Sequence, residues 1–210
     1  AGPTVVVLGG VHGNEPGGWL AAEAIAEWPV TSGTLVVVPR ANRQAVEMLA
    51  RTSAALGDLN RLYPGDPDGL PMSAMAYEIT SLVRGHQPHF VFDLHESWGF
   101  YAERSADAGT AAVGQTVAVG GVGADMPLME AVVREVNAHL APREQLTLAD
   151  RRGESTAWAS AGNSSISLGQ FVEGCSPVLV EMAQQDQPAA RRAEMHVLLV
   201  RTALEHLGMA

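Results

Sequence analysis

This chain of 210 residues contains no lysine and a single cysteine, Cys175. One cysteine excludes an intrachain disulfide framework and a metal site built from several cysteines. The 13 basic side chains are all arginines, and 23 acidic residues leave a net charge of -10, which argues against nucleic acid because its phosphates need clustered positive charge. No run has the sustained apolarity of a bilayer-spanning helix. We therefore expect neither a nucleic-acid partner nor a membrane span.

The length and composition predict one domain. A chain of 210 residues with 47% hydrophobic content can bury a substantial core, and no linker or internal repeat divides it. We expect a single domain over residues 1–210. The chain shows no signal peptide and begins without methionine, almost directly in a strand. A cytoplasmic location is favoured, with export open if an upstream segment has been removed.

Apolar runs and helical patterns alternate along the chain. Buried strands are predicted at residues 4–8, 34–38, 89–94, 116–119 and 177–180. Helices are predicted at residues 17–28, 73–83, 125–140 and 188–207. This alternation indicates an α/β fold in which a largely parallel sheet lies between layers of helices. Functional residues in such folds gather beyond the carboxyl ends of the strands.

A histidine and a glutamate, His12 and Glu15, lie three residues apart in the glycine-rich loop after the first strand. Zinc accepts imidazole nitrogen and carboxylate oxygen at about 2.0–2.2 Å, and a catalytic zinc ion commonly has three protein ligands. His95 follows the strand at residues 89–94 and would lie at the same edge of the sheet. We therefore predict one zinc ion per chain, bound by these three side chains. Asp93 could orient a ligand histidine as a hydrogen-bond acceptor.

Three further side chains have the chemistry of amide hydrolysis. Glu181 follows the apolar strand at residues 177–180, where burial would raise its pKa toward the value that a general base needs. Arg61, next to Asn60 in a polar loop, has the planar fork that matches a carboxylate. Arg51, interpreted as part of a short helix, could stabilise the oxyanion of a tetrahedral intermediate. A zinc ion that acidifies water beside such a base completes the outline of the site.

Four short motifs, taken in order, resemble those of a known family. They are Gly-Gly-Val-His-Gly-Asn-Glu at residues 9–15, Asp-Leu-Asn-Arg at 58–61, Asp-Leu-His-Glu at 93–96 and Val-Glu-Met at 180–182. Each motif is weak alone. Together they resemble the zinc carboxypeptidase superfamily and, within it, the branch of succinylglutamate desuccinylase and aspartoacylase, over residues 4–207.

The resemblance implies a zinc peptidase-like fold, a three-layer α/β/α sandwich with a mixed sheet of about eight strands. It implies metal ligands at His12, Glu15 and His95. It also implies that Glu181 is the catalytic base.

Substrate contacts follow from the same resemblance. It implies that Asn60 and Arg61 hold a substrate carboxylate and that Arg51 polarises the scissile carbonyl. Two features depart from the family. Arg51 lies nine residues before Asn60, so its equivalence is approximate, and the chain ends with a helix where aspartoacylase-like members have a C-terminal β domain.

Simpler interpretations of several residues stay open. Glu15 could accept backbone N–H groups at the start of the next helix, where the dipole favours a carboxylate. Arg61 could form a surface ion pair, and Glu181 could pair with an arginine. Cys175 is interpreted as an inert small residue rather than a nucleophile. Glu96 should face away from the metal, with a solvated or structural role.

Other polar and aromatic residues carry less information. The aromatic side chains at residues 98–101 fit either a pocket lining or the packing of a long loop. Five histidines are interpreted as surface or core residues. They are His86, His89, His139, His196 and His206.

The predicted reaction is hydrolysis of an amide bond next to a carboxylate-bearing group. The resemblance favours an N-acyl amino acid deacylase. The alternatives are a metallocarboxypeptidase that acts on short peptides, including cell-wall peptides, and a non-catalytic zinc-binding module on the same fold. The glycines after the first strand do not form Gly-x-Gly-x-x-Gly and no Gly-x-Ser-x-Gly occurs, so a dinucleotide oxidoreductase and a serine hydrolase are unsupported.

Overall fold

Strands and helices alternate along the chain in the computed structural model, which describes residues 2–52, 56–121, 125–152 and 163–210. The strands are β1 Thr4–Gly9, β2 Thr34–Val38, β3 Phe90–Ser97, β4 Thr116–Val119, β5 Thr147–Asp150 and β6 Ser176–Ala183. The helices are α1 Pro16–Ala26, α2 Arg43–Met48, α3 Pro71–His86, α4 Met126–Asn137, α5 Leu168–Phe171 and α6 Ala189–His206.

The strands of the described ranges form one mixed sheet in the order β2-β1-β3-β6-β4-β5. Neighbouring strands are parallel except β4 and β6, which run antiparallel. The mixed, largely parallel sheet expected from the sequence is therefore confirmed. The resemblance implied about eight strands, whereas the part of the chain that the structure describes contains six.

Helices cover both faces of this sheet because its strands carry apolar residues on both sides. In β1, Val5 and Val7 join a cluster that contains residues of α1, α4 and α6, whereas Val6 and Leu8 join a second cluster with α3. Successive residues of a strand point to opposite faces, so a strand buried on both faces is an unbroken apolar run. The three-layer α/β/α sandwich is thus confirmed. Within the described ranges, no helix has the length and hydrophobicity needed to cross a membrane.

Two strands continue past the ends predicted from the sequence. β3 reaches Ser97 and β6 reaches Ala183, three residues beyond their apolar runs in each case. The added residues include His95 and Glu181, which the apolar pattern excluded because polar side chains interrupt it. Both side chains are therefore held by the sheet itself rather than by loops.

Two short elements, α5 and β5, were not predicted, and the short helix expected around Arg51 corresponds to α2, which ends before that residue. β5 is an edge strand of four residues and is only partly buried, so its apolar signal is weak. α2 ends at Leu49, which has a left-handed φ of +48°. Arg51 was expected on a short helix, and it lies instead in the bend after α2. That position outside the helix leaves its side chain free to turn back toward the loop after β1.

Candidate active site

The loop after β1 and the carboxyl ends of β3 and β6 bring the predicted site residues to one edge of the sheet. Gly10, with φ of +69°, turns the chain out of β1, and His12 and Glu15 follow it. His95 in β3 is paired in register with Glu181 in the adjacent strand β6. The predicted metal ligands His12, Glu15 and His95 are almost completely buried, and each is at most 3% exposed.

His12, Glu15 and His95 each direct a possible ligand atom toward the same point, and we call these three residues the donor cluster. His12 Nδ1 lies 2.7 Å from Glu15 Oε1, His95 Nδ1 lies 2.8 Å from Glu15 Oε2, and the two Nδ1 atoms are 3.1 Å apart. Ligand atoms at about 2.0–2.2 Å from a tetrahedral ion lie about 3.3–3.6 Å from one another. The cluster therefore needs only a slight expansion to enclose a metal ion. Two imidazole nitrogens and a carboxylate also match the ligand preference of zinc.

A carboxylate contacts the outer nitrogen of each histidine in the donor cluster. Asp58 Oδ1 lies 2.9 Å from His12 Nε2, and Asp93 Oδ2 lies 2.7 Å from His95 Nε2. Such contacts orient a histidine so that its other nitrogen faces the metal, and they raise its basicity. The contact of Asp93 follows the sequence-based expectation. Asp58 was missed as a partner of His12, although it is the first residue of the Asp-Leu-Asn-Arg motif.

The charges of the donor cluster support one another despite deep burial. Burial opposes ionisation of Glu15, but the neighbouring His12 and His95 outweigh it and hold the pKa of Glu15 far below its usual value. Burial likewise acts to lower the pKa of His95, yet Asp93 and Glu15 raise it well above the usual range. The site therefore stabilises positive charge at the point where the donor atoms meet. A divalent cation is a natural source of that charge.

Glu181 presents a carboxylate that lacks a partner. Its Oε2 atom is buried and accepts no hydrogen bond, and it forms no ion pair with any arginine of the described ranges. Burial raises the pKa of Glu181 to about 8, although the nearby charge of His95 acts in the opposite direction. The alternative of a structural pair with an arginine therefore gains no support. A buried carboxyl group with a raised pKa suits a general base.

Arg51 reaches the donor cluster from the bend after α2. Its Nη1 donates to Glu15 Oε1 at 3.1 Å, while Nε and Nη2 donate to Asp58 Oδ2 at 3.2 and 3.1 Å. Its side chain is 45% exposed, so one side of the guanidinium faces solvent and the cavity described below. Arg51 thus contacts the donor cluster, and its role at the scissile carbonyl stays a prediction.

Asn60 and Arg61 are held in a 3-10 turn beside the site. The Oδ1 atom of Asn60 accepts a hydrogen bond from the backbone of Ser165 at 2.9 Å, and its carbonyl oxygen accepts one from Arg61 Nη1 at 2.7 Å. No carboxylate of the described ranges forms an ion pair with Arg61, which disfavours the alternative of a surface ion pair. Both side chains line the cavity, and the remaining N–H groups of Arg61 are available to a ligand.

A cavity of about 120 Å³ opens beside the donor cluster. From Glu181 it extends over the face of β6, β4 and β5, where Leu179, Ala118 and Ala149 are register partners on neighbouring strands. The two alanines leave space above the sheet that larger side chains would fill. The arginines of its lining are Arg51, Arg61 and Arg151. The cavity therefore combines an apolar floor with a cationic wall, as a small ligand with an anionic group requires.

The remaining candidates separate into packing and lining residues. Tyr101 lines the cavity, Phe100 is buried beneath the guanidinium of Arg143, and Trp98 is 64% exposed. Cys175 is buried, and burial raises the pKa of its thiol to about 12, as expected for an inert cysteine. The five histidines interpreted as non-functional lie outside the donor cluster.

Comparison with known proteins shows that the N-terminal part of the chain is similar to one family. The profile described as "Succinylglutamate desuccinylase/Aspartoacylase catalytic domain" matches residues 1–99. The predicted resemblance to this branch is confirmed. An N-alpha-acetyl-L-2,4-diaminobutyric acid deacetylase of Halomonas elongata is 35% identical over 98 residues, which make up 45% of this chain and 28% of that protein. The family match thus includes all three residues of the donor cluster and ends before Glu181.

Solved structures extend the likeness to the whole chain. The mDAP-bound form of Csd4, a D,L-carboxypeptidase of Helicobacter pylori, is similar over 100% of this chain and 52% of its own, with a TM-score of 0.79 and 22% identity. A succinylglutamate desuccinylase/aspartoacylase of Rhodobacter sphaeroides is similar over 100% of this chain and 56% of its own, with a TM-score of 0.69 and 21% identity. These similarities establish the fold. The chain spans about half the length of these solved structures.

Proposed function

We propose that this chain is a zinc-dependent hydrolase that cleaves an amide bond next to a carboxylate-bearing group, with an N-acyl amino acid as its substrate. The observation that carries the proposal is the juxtaposition of the donor cluster with Glu181, a buried and unpartnered carboxylate on the adjacent strand. We further propose that residues 1–210 act as one catalytic domain.

One zinc ion per chain would be held by His12, Glu15 and His95. When bound, zinc supplies a Lewis acid that polarises a carbonyl group and acidifies water. The two outer carboxylates, Asp58 and Asp93, would keep the histidine Nδ1 atoms directed at the ion.

The side chains around the cavity would transfer the proton, stabilise the oxyanion and bind the substrate carboxylate. Glu181 would remove a proton from the attacking water through its free Oε2 and return that proton to the leaving amine. Arg51 donates from Nη1 to Glu15 and from Nε and Nη2 to Asp58, and the second N–H of Nη1 and of Nη2 would stabilise negative charge on the carbonyl oxygen. Arg61, positioned by Asn60, would bind the substrate carboxylate in a bidentate manner.

Peptides form the second candidate substrate class. The cavity over β6, β4 and β5 has an apolar floor that would accommodate the side chain of a terminal residue while Arg61 binds its carboxylate. The similar Csd4 structure is that of a D,L-carboxypeptidase, which is consistent with this class. The family match of the N-terminal part and the related deacetylase favour the deacylase.

A substrate panel measured on zinc-loaded protein would separate the candidates. N-acetyl and N-succinyl amino acids would be compared with short peptides that have a free carboxyl terminus, and with the same peptides amidated at that terminus. Turnover of acyl amino acids supports the deacylase, and turnover of the free peptides alone supports the carboxypeptidase. Zinc binding without turnover of any substrate would instead favour a non-catalytic zinc-binding module.

A further inference from the structure

Glu96 follows His95 in β3, but its side chain lies on the opposite face of the sheet. It was expected to be solvated or structural, and the structure excludes the first option because its side chain is fully buried. Its Oε1 atom lies 2.8 Å from Nε of Arg192, a residue of the first turn of α6 whose side chain is only 8% exposed. This buried ion pair lies directly behind the donor cluster.

Glu96 and the loop that carries Glu15 exchange hydrogen bonds. The backbone N–H of Glu96 donates to Glu15 Oε2 at 2.9 Å, and the backbone N–H of Gly17 donates to Glu96 Oε1 at 2.6 Å. Glu15 is the N-cap residue of α1, yet its side chain does not cap the helix. Glu96 supplies the missing acceptor, and its charge suits the positive end of the helix dipole. The carboxylate of Glu15 is thereby left to the donor cluster.

Gly17 is required by this contact. A Cβ atom at that position would collide with Glu96 Oε1 and with the Cβ atom of Arg192, so a larger residue would displace the Glu96 carboxylate and crowd the start of α6. Gly18 is equally close to the backbone of the same strand, because a Cβ atom there would meet the carbonyl oxygen of Leu94. The start of α1 is therefore packed against β3 at backbone distance.

Gln184, the residue after β6, connects that strand to the same hydrogen-bond network. It follows β6 three residues after Glu181, and its Nε2 atom donates to Glu96 Oε2 at 3.0 Å and to the carbonyl oxygen of Asn14 at 2.9 Å. Asn14 lies between His12 and Glu15 in the sequence. One side-chain amide thus connects the strand of the candidate base with the loop of two candidate ligands.

We propose that Glu96, Arg192 and Gln184 form a clasp that sets the spacing of the donor cluster and of Glu181. The clasp residues are positioning residues, because they act through Glu15 and His95. The inference rests on the proposed function in that the positioned side chains are those of the proposed zinc site. Arg192 balances the charge of Glu96, so that a carboxylate rather than a neutral side chain can be buried at the start of α1.

Zinc affinity provides the first test, measured by competition with a chromophoric chelator. Glu96→Gln and Arg192→Gln should each weaken zinc binding by about 10–100-fold, the usual effect of losing a residue that orients metal ligands. Arg192→Lys, which keeps the charge, should retain more affinity than Arg192→Gln. Arg191→Gln is the matched control, because Arg191 is the adjacent residue and pairs with Glu144 and Glu194, away from the site. Unchanged affinity in Glu96→Gln, or an equal loss in Arg191→Gln, would overturn the clasp.

Hydrogen–deuterium exchange of the metal-free protein provides a second test that does not need zinc. Peptides that cover residues 9–18 should exchange at least about tenfold faster in Glu96→Gln and Arg192→Gln than in wild type, and at the wild-type rate in Arg191→Gln. Gln184→Ala removes a half-buried side chain and supplies a milder variant if the others fail to fold. If wild type binds no zinc, the proposed function fails, while this exchange experiment still decides the clasp. Wild-type protection of residues 9–18 in the clasp variants would refute it.

Discussion

The two faces of β3 bury charge in different ways. On one face, His95 and Asp93 join an ionisable group in which the Oδ1 atom of Asp93 and the Oε2 atom of Glu181 have no hydrogen-bond partner. On the other face, both carboxylate oxygens of Glu96 accept hydrogen bonds, and Arg192 balances its charge. Adjacent residues of a single strand therefore point to two different environments. His95 lies beside carboxylate oxygens that lack hydrogen-bond partners, whereas both oxygens of Glu96 are hydrogen-bonded.

Under the proposed function, this difference distinguishes the residues that react from the residues that position them. Buried polar atoms are nearly always hydrogen-bonded in folded proteins, so an unpartnered carboxylate indicates a position that a ligand or a reacting group fills. A fully hydrogen-bonded ion pair has no free acceptor for a ligand, and it fixes the positions of the segments that it joins. Mutations on the two faces should accordingly change different properties, and the following predictions are arranged from the largest expected effect to the smallest.

Removal of a donor should abolish the metal site. His95→Ala takes one of three ligands from the donor cluster, and we expect elemental analysis to find about one zinc per wild-type chain and none in the variant after dialysis. His139→Ala, at an exposed position, is the control and should keep its zinc. Equal zinc content in His95→Ala would show that the metal binds elsewhere.

Loss of the candidate base should affect turnover without affecting metal content. Glu181→Gln keeps the shape of the side chain but cannot accept a proton, so kcat should fall by about 10²–10⁴-fold. Steady-state kinetics on the best substrate of the panel, together with zinc analysis of the same sample, would measure both quantities. Turnover at the wild-type rate would remove Glu181 from the mechanism.

Substitution of a carboxylate that contacts a histidine of the donor cluster should weaken zinc binding less than removal of a ligand does. Asp58→Asn weakens the hydrogen bond to His12 Nε2, and zinc affinity should fall by about 10–100-fold. The matched control is Asp68→Asn, an exposed residue of the same loop, which should bind zinc as wild type does. Chelator competition at constant pH measures the two variants side by side, and identical affinities would show that Asp58 does not orient the ligand.

The unpartnered carboxylate should also reduce the stability of the metal-free protein. The pKa of Glu181 is about 8 in the folded chain and near 4.5 when unfolded, so between these values the folded state binds more protons and stability falls as pH rises. Glu181→Gln should therefore be more stable than wild type at pH 8, by about 1–3 kcal/mol, and close to it at pH 4.5. Urea unfolding of both proteins at both pH values measures the difference in their free energies of unfolding. If Glu181 were ordinarily solvated, this difference would be the same at the two pH values.

The smallest effect concerns Cys175. Its thiol is buried and its pKa is raised to about 12, so a thiol reagent at pH 8 should modify the native protein far more slowly than the urea-unfolded protein. Labelling at the unfolded rate in the native state would contradict the buried placement. Cys175→Ala should leave turnover unchanged, because the side chain takes no part in the proposed reaction.

Much of the site follows from residues that lie close together in the sequence. Strand ends predicted from apolar runs placed His12 and Glu15 after β1 and His95 after β3, and the short motifs linked them to a zinc family. The strand ends were less accurate because polar residues interrupt the apolar pattern at the site, so the strand positions of His95 and Glu181 were missed. The edge strand β5 was missed because a short, half-exposed strand carries little pattern.

The sequence alone determined the alternation of strands and helices, the candidate ligand residues and the resemblance to a family, because periodicity and short motifs are local properties of the chain. Tertiary structure alone decided that Asp58 contacts His12, that Arg51 contacts Glu15, and that Glu96 pairs with Arg192. These partners are 46, 36 and 96 residues apart, so no local pattern connects them. They meet because the parallel sheet brings the carboxyl ends of β1, β3 and β6 to one edge, where side chains from distant segments share the same small buried volume.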